Sequence, residues 1–273
     1  MVVSWFTDRH VFLLAVIFYG ASMFYSLFLW RKGFRRHDLI NYSLLLAGAV
    51  FHTKAMFMRG FSLRECPVNN LYEAMTFMAW TIVAVYLIIG LWPRLSHIGV
   101  FASPIVFAIG VFALMPSLDP PHAGHPEFGN GLKSLHAALA LLSYGAFGLS
   151  AIAGAMFLTQ EHDLKFDKLR AVLSLMPPLD RLEKLMTSLG WGGLILLTAG
   201  LALSPLLLKQ YPGTYVTKEV WSTIVWVIYL TLLILHRRFF RSGRRFAWGI
   251  IGIFIFVLLT FWGINQLSPD HRF

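Results

Sequence analysis

Runs of about twenty mostly apolar residues, separated by short polar breaks, recur along this chain: His10–Trp30, Leu39–Met58, Leu71–Trp92, His97–Met115, Leu135–Gln160, Ser188–Leu208, Val220–His236 and Phe246–Leu267. At about 1.5 Å rise per residue each run matches the hydrocarbon thickness of a bilayer, where the backbone must satisfy its own hydrogen bonds. The pattern therefore predicts an all-α, polytopic transmembrane helix bundle of about eight helices, with lipid as the main solvent. With 57% hydrophobic and only 13% charged residues, the chain lies far from soluble averages. The first run is long enough to span, and no small-residue cleavage site follows it, so it is expected to remain as a helix. The lone Cys66 excludes an intrachain disulfide, a CxxC redox pair and a CxxCH attachment site.

Orientation follows from the cations. Arg31, Lys32, Arg35 and Arg36 follow the first run and Arg94 the third. Lys165, Lys168, Arg170, Arg181 and Lys184 follow the fifth, and Arg237, Arg238, Arg241, Arg244 and Arg245 the seventh. The alternate loops hold chiefly Arg59, Arg64, Lys133, Lys209 and Lys218. The basic loops are predicted to be cytoplasmic, with both termini outside a bacterial inner membrane. A net charge of +10 then reflects loop cations rather than nucleic-acid binding.

Two connections are longer than turns. Residues 166–189 read as two amphipathic helices split by Pro177 and Pro178, with Phe166, Leu169, Val172, Leu173 and Met176 on one stripe and Leu179, Leu182, Leu185, Met186 and Leu189 on the other. A helical hairpin lying on the membrane is expected, a partner-docking site being the alternative. Asp180 and Glu183 have the spacing of a capping pair. The loop Pro116–Lys133 is rich in Pro and Gly, and its His122 and His125 are expected to be solvated. No internal repeat is visible.

Ionisable groups inside a bilayer cost several kcal/mol, roughly, and so point to function. His52 and Lys54 fall near the outer end of the second run, Glu73 at the start of the third, His136 of the fifth and Glu219 of the seventh. Asn265 and His271 close the last on the same side. This convergence predicts a lined outer-leaflet cavity. Asn70 and Glu73 also have the spacing of an N-terminal cap. His236 is expected on a helix face directed into the bundle, since a lipid-facing imidazole has no partner. No phosphate-binding loop, nucleophile elbow or metalloprotease motif is present, so the chain is not expected to be an enzyme.

The segment Cys66-Pro-Val-Asn-Asn-Leu-Tyr-Glu-Ala-Met-Thr-Phe-Met-Ala-Trp80 resembles the third-helix signature of the CcsA/HemX-type cytochrome c assembly proteins. In that family's order follow Leu135–Phe147, Pro178-Leu-Asp-Arg-Leu-Glu183, Lys218-Glu-Val-Trp221, Leu235-His-Arg237 and Phe261-Trp-Gly-Ile-Asn265. The resemblance covers about residues 50 to 273. It implies one assembly domain over residues 1–273 that handles non-covalent, b-type haem and presents it outside for attachment to apocytochrome c, with a separate membrane partner. Carried over by motif, His136 and His271 correspond to the outer-face pair that holds haem iron, and His236 to an intramembrane haem ligand. His52 stands where histidine is frequent. Lys133, Lys218 and Arg272 are candidates for propionate contacts, and Tyr215 and Trp221 for an apolar wall.

The family's Trp-rich outer loop is replaced here by Tyr211-Pro-Gly-Thr-Tyr-Val-Thr-Lys-Glu219. That departure resembles the HemX-like branch, which implies a second reading: a membrane regulator whose basic cytoplasmic loops dock a soluble enzyme of haem synthesis. A small-solute transporter is a third reading, which neither broken-helix signals nor internal symmetry supports.

Overall fold

A computed structural model describes residues 7–32, 38–63, 70–91, 98–119, 131–166, 177–210, 216–238 and 242–267. These residues form eight α-helices, α1 (Asp8–Lys32), α2 (Asp38–Leu63), α3 (Leu71–Ile89), α4 (Ile98–Ala113), α5 (Gly131–Phe166), α6 (Leu179–Gln210), α7 (Val216–Arg238) and α8 (Gly243–Leu267). A 3-10 turn at Pro116–Leu118 follows α4, and there is no strand among the described residues. Each helix corresponds to one apolar run of the sequence. By length and composition α1, α3, α5, α6, α7 and α8 are long and apolar enough to cross a membrane. Helix α4 is apolar but has only 16 residues. The architecture is that of a polytopic membrane helix bundle.

The helices group into two compact units, α1–α4 and α5–α8. In the first, α1 packs on α2 and α4, and α3 packs on the same two neighbours. In the second, α5 packs on α6 and α8, and α7 on the same two. Each unit is thus a closed ring of four helices in chain order, although the sequence shows no repeat.

A polar seam joins α1, α2 and α4 inside the first unit. The Ser22 hydroxyl donates to Asn41 Oδ1 at 2.5 Å, Ser26 to the same oxygen at 3.1 Å, and the Ser26 and Ser103 hydroxyls lie 3.1 Å apart. All four residues are buried. In an apolar surround such bonds hold helices together because the alternative is an unsatisfied polar group. Pro104 lies within α4 and cannot donate to the Val100 carbonyl, which receives the Ser103 hydroxyl at 3.5 Å instead.

One expectation changes in the second unit. Helix α5 has 36 residues and α6 has 32, so Leu179–Leu189 is the first part of α6 and not a separate surface helix. The reason is packing. Leu182 and Met186 are fully buried, and the Ser150 hydroxyl of α5 donates to the Met186 carbonyl at 2.8 Å, so the apolar stripe is spent inside the bundle. Residues 167–176, the other half of the expected hairpin, lie outside the described residues.

Candidate functional site

In the second unit His136 stands in the second turn of α5, at the end where α5 and α7 begin and α6 finishes. Its Nδ1 lies 2.9 Å from the carbonyl oxygen of Gly200 in α6, to which it donates, and its Nε2 lies 3.3 Å from Glu219 Oε1 in α7. The carboxylate is held in turn, because the Ser204 hydroxyl of α6 donates to Glu219 Oε2. Glu219 occupies the first turn of α7, where the helix dipole favours a negative charge. The Tyr144 hydroxyl bonds to Ser222 beside this group. The imidazole is 20% exposed, so it is fixed on one nitrogen and covered on the other without being sealed off.

The opposite end of the same unit carries a second histidine–carboxylate pair. His236 Nε2, in the last turn of α7, lies 3.4 Å from Glu183 Oε1 of α6, and the ring stacks on Phe246 of α8 at 3.8 Å between centroids, 11° from parallel. Its Nδ1 is buried without a hydrogen-bond partner. The ring therefore faces α6 and α8. Glu183 does not serve as the reciprocal member of a cap; it reaches across to α7. Gly243 makes room for it, since a Cβ there would lie 2.6 Å from Glu183 Oε2 and 2.7 Å from Phe157. Along α7 the two pairs are separated by seventeen residues, or about 25 Å of helix.

In the first unit His52 is fully buried on α2. The Tyr19 ring lies against Gly48, one turn before His52, and this close approach brings the Tyr19 hydroxyl to 3.1 Å from His52 Nδ1. The Phe12 ring is 4.7 Å away. His52 Nε2 is buried with no partner of hydrogen-bond geometry, and the backbone of Thr76 lies beside the ring. Phe12, Met56, Arg59, Tyr72 and Glu73 line a crevice beside the imidazole.

Arg59 closes that crevice and ties four helix ends together. Its guanidinium meets Glu73 Oε1 at 2.8 Å, Asp8 Oδ2 at 3.3 Å and Asp119 Oδ1, and lies 5.4 Å from the centre of the Tyr72 ring. Arg9 donates to the Leu114 carbonyl at 2.7 Å and pairs with Asp119 at 3.4 Å. Asn70 caps α3 as expected, its side-chain oxygen accepting the Glu73 N–H at 2.8 Å, while its amide nitrogen donates to Asp119 at 2.9 Å. The Glu73 side chain goes to Arg59 and not back to the cap.

Sequence reasoning singled out His52, Glu73, His136 and Glu219 but not the roles of Arg59, Asp8, Arg9 and Asp119. The available signal was their position: all four stand at or near the ends of apolar runs on one expected side, where opposite charges can pair. His52 and Glu73 line one crevice in the first unit, and His136 and Glu219 pair in the second. Lys54 is exposed, and Trp221 turns inward onto Phe256, with ring centroids 5.6 Å apart. His271, Arg272, Tyr215, His122 and His125 lie outside the described residues, as do the side chains of Lys133, Lys218 and Asn265.

The sequence matches the family described as cytochrome C assembly protein over residues 68–269, about three quarters of its length. The chain belongs to this family. Helices α3 to α8, and with them both histidine–carboxylate pairs, fall inside the matched region. Among individual proteins the chain is similar to Protein HemX of Brevibacillus brevis, 26% identical over 267 residues and 96% of each chain. It is also 26% identical to cytochrome c biogenesis protein CcsA of Trieres chinensis, over 74% of this chain and 75% of that one. Protein HemX of Bacillus subtilis (strain 168) is 26% identical over 76% of each.

Proposed function

We propose that this member of the cytochrome c assembly family binds b-type haem non-covalently and holds it for cytochrome c biogenesis at the end of the α5–α8 unit that carries His136. The observation that carries the reading is the state of that imidazole. A backbone carbonyl orients its Nδ1, which is how proteins commonly fix a ligand histidine, and among the described residues its Nε2 meets only the Glu219 side chain, on an imidazole that keeps 20% of its surface exposed. Such a residue fits one axial position of a haem iron, and haem supplies that iron with two positions for imidazole nitrogen. His271 is proposed for the second, His236 as the ligand at the other end of α7, and His52 as a further contact. Apocytochrome c and a separate membrane partner complete the proposed assembly, in a bacterial inner membrane with both termini outside and residues 1–273 acting as one assembly domain.

The test is the absorption spectrum of protein purified from haem-replete cells, beside His136→Ala and His271→Ala variants. A low-spin haem spectrum is expected in the wild type, with loss of haem or conversion to a high-spin form in each variant. A haem-free wild type, or variants with unchanged spectra, would defeat the pairing of His136 and His271.

A second reading draws on the similarity to Protein HemX across 96% of each chain and on the absent Trp-rich loop. It makes the chain a regulator of a soluble enzyme of haem synthesis. Exposed Arg181, Lys184, Arg237, Arg238 and Arg245 at one end of the second unit supply a docking surface for an acidic partner. A haem-free wild type that retains such an enzyme from cytoplasm, and releases it when these cations are replaced by Gln, would favour this reading.

A further inference from the structure

We propose that Glu219 is a positioning residue that occupies the iron-binding nitrogen of His136 until haem arrives, so that it competes with haem and does not support it; the inference rests on the haem reading above. Two contacts hold the imidazole, and they differ in kind. The bond from Nδ1 to the Gly200 carbonyl involves the backbone of α6, cannot be withdrawn without moving that helix, and leaves Nε2 free to act. The Glu219 contact falls on Nε2 itself, at 3.3 Å, from the end of a side chain with rotatable bonds. Nε2 cannot serve the carboxylate and an iron together. A haem iron held by His136 would take Nε2, and the Glu219 contact at that nitrogen would be given up. Glu219 would keep its bond from Ser204 and its place in the first turn of α7. Tyr144 and Ser222 on α5 and α7, and Ser204 on α6, are the other polar groups described around the pair. Ser204 is then the tether that keeps the cover in place.

A supporting partner and a competing one give opposite signs when removed. The variants are Glu219→Ala, Glu219→Asp, which withdraws the carboxylate by one methylene, and Ser204→Ala, which frees it. In haem-loaded protein, transfer to apomyoglobin is expected to slow by between about twofold and fivefold in Glu219→Ala, the range of a partly exposed ion pair. Glu219→Asp and Ser204→Ala should move the same way by less, and the effect should vanish in a His136→Ala background. In haem-free protein, diethyl pyrocarbonate should modify His136 faster by a similar factor in all three variants, with the exposed His162 of α5 as an unchanged internal reference. Faster haem loss in Glu219→Asp and Ser204→Ala, persistence of the effect without His136, or an unchanged rate of His136 modification would each overturn the proposal. A wild type that takes up no haem would defeat the haem reading instead, while the modification rates still decide whether Glu219 covers Nε2.

Discussion

Arg59 shows what a single charge does in an apolar bundle. It is 14% exposed and faces three carboxylates, of which Glu73 is 1% exposed and Asp119 8%. Removing one member of a buried ion pair costs about 3–5 kcal/mol, because the partner is left charged and dry. Arg59→Ala is therefore expected to lower stability by roughly that amount, read as a fall in the thermal midpoint of detergent-solubilised protein. Arg59→Ala combined with Glu73→Gln should recover part of the loss, because no buried charge is then stranded at that position. Additive losses in the double variant would show that Arg59 and Glu73 do not act as a pair. Glu73 looked from the sequence like half of a capping pair, and Asn70 does cap α3. The carboxylate was open to a stronger partner because α2 ends beside it, which local spacing does not record.

Between elements, the decisive contact is that of α5 with α6. Gly193 lets the two helices approach: a Cβ at this position would lie 2.6 Å from the Phe147 ring and 3.1 Å from the Ser143 carbonyl. Phe147 cannot yield easily, because it stacks on Tyr229 of α7 at 3.6 Å, 6° from parallel. Gly193→Ala is expected to destabilise by about 1–3 kcal/mol, the usual cost of overpacking. Its neighbour is the control. A Cβ at Gly192 would meet nothing within 4 Å, and alanine restores up to about 1 kcal/mol of helix propensity, so Gly192→Ala should be neutral or stabilising. Equal thermal midpoints for the two variants would contradict the close approach. The sequence offers two adjacent glycines and no means of telling them apart, since which one faces α5 depends on the rotation of α6 about its axis.

For the whole molecule, loop cations predict which ends face the cytoplasm. Reporter fusions after Arg36 and after Arg241 should be dark with a periplasm-active reporter and bright with a cytoplasm-active one, whereas a fusion after Lys133 should do the reverse. A bright periplasmic reporter after Arg36 would invert the orientation. The number of helices, their approximate limits and the membrane environment were all legible in the sequence, because a bilayer imposes a local requirement of about twenty apolar residues per crossing. Family membership was legible for a similar reason, its motifs being contiguous segments such as Leu135–Phe147 and Lys218–Trp221. Tertiary structure decided the rest. Two four-helix rings of the same order arise from residues with no visible repeat, because packing reads shape and not letter-by-letter likeness. The amphipathic start of α6 could have lain on the membrane, and became part of the bundle because Leu182 and Met186 found a neighbour there. His136 was already a candidate from its motif, but its orientation depends on Gly200, Ser204 and Glu219, which lie 64, 68 and 83 residues further along the chain. Hydropathy acts within one helix and can be read along the chain, whereas a hydrogen bond between helices depends on their rotation and register, which only the packed bundle sets.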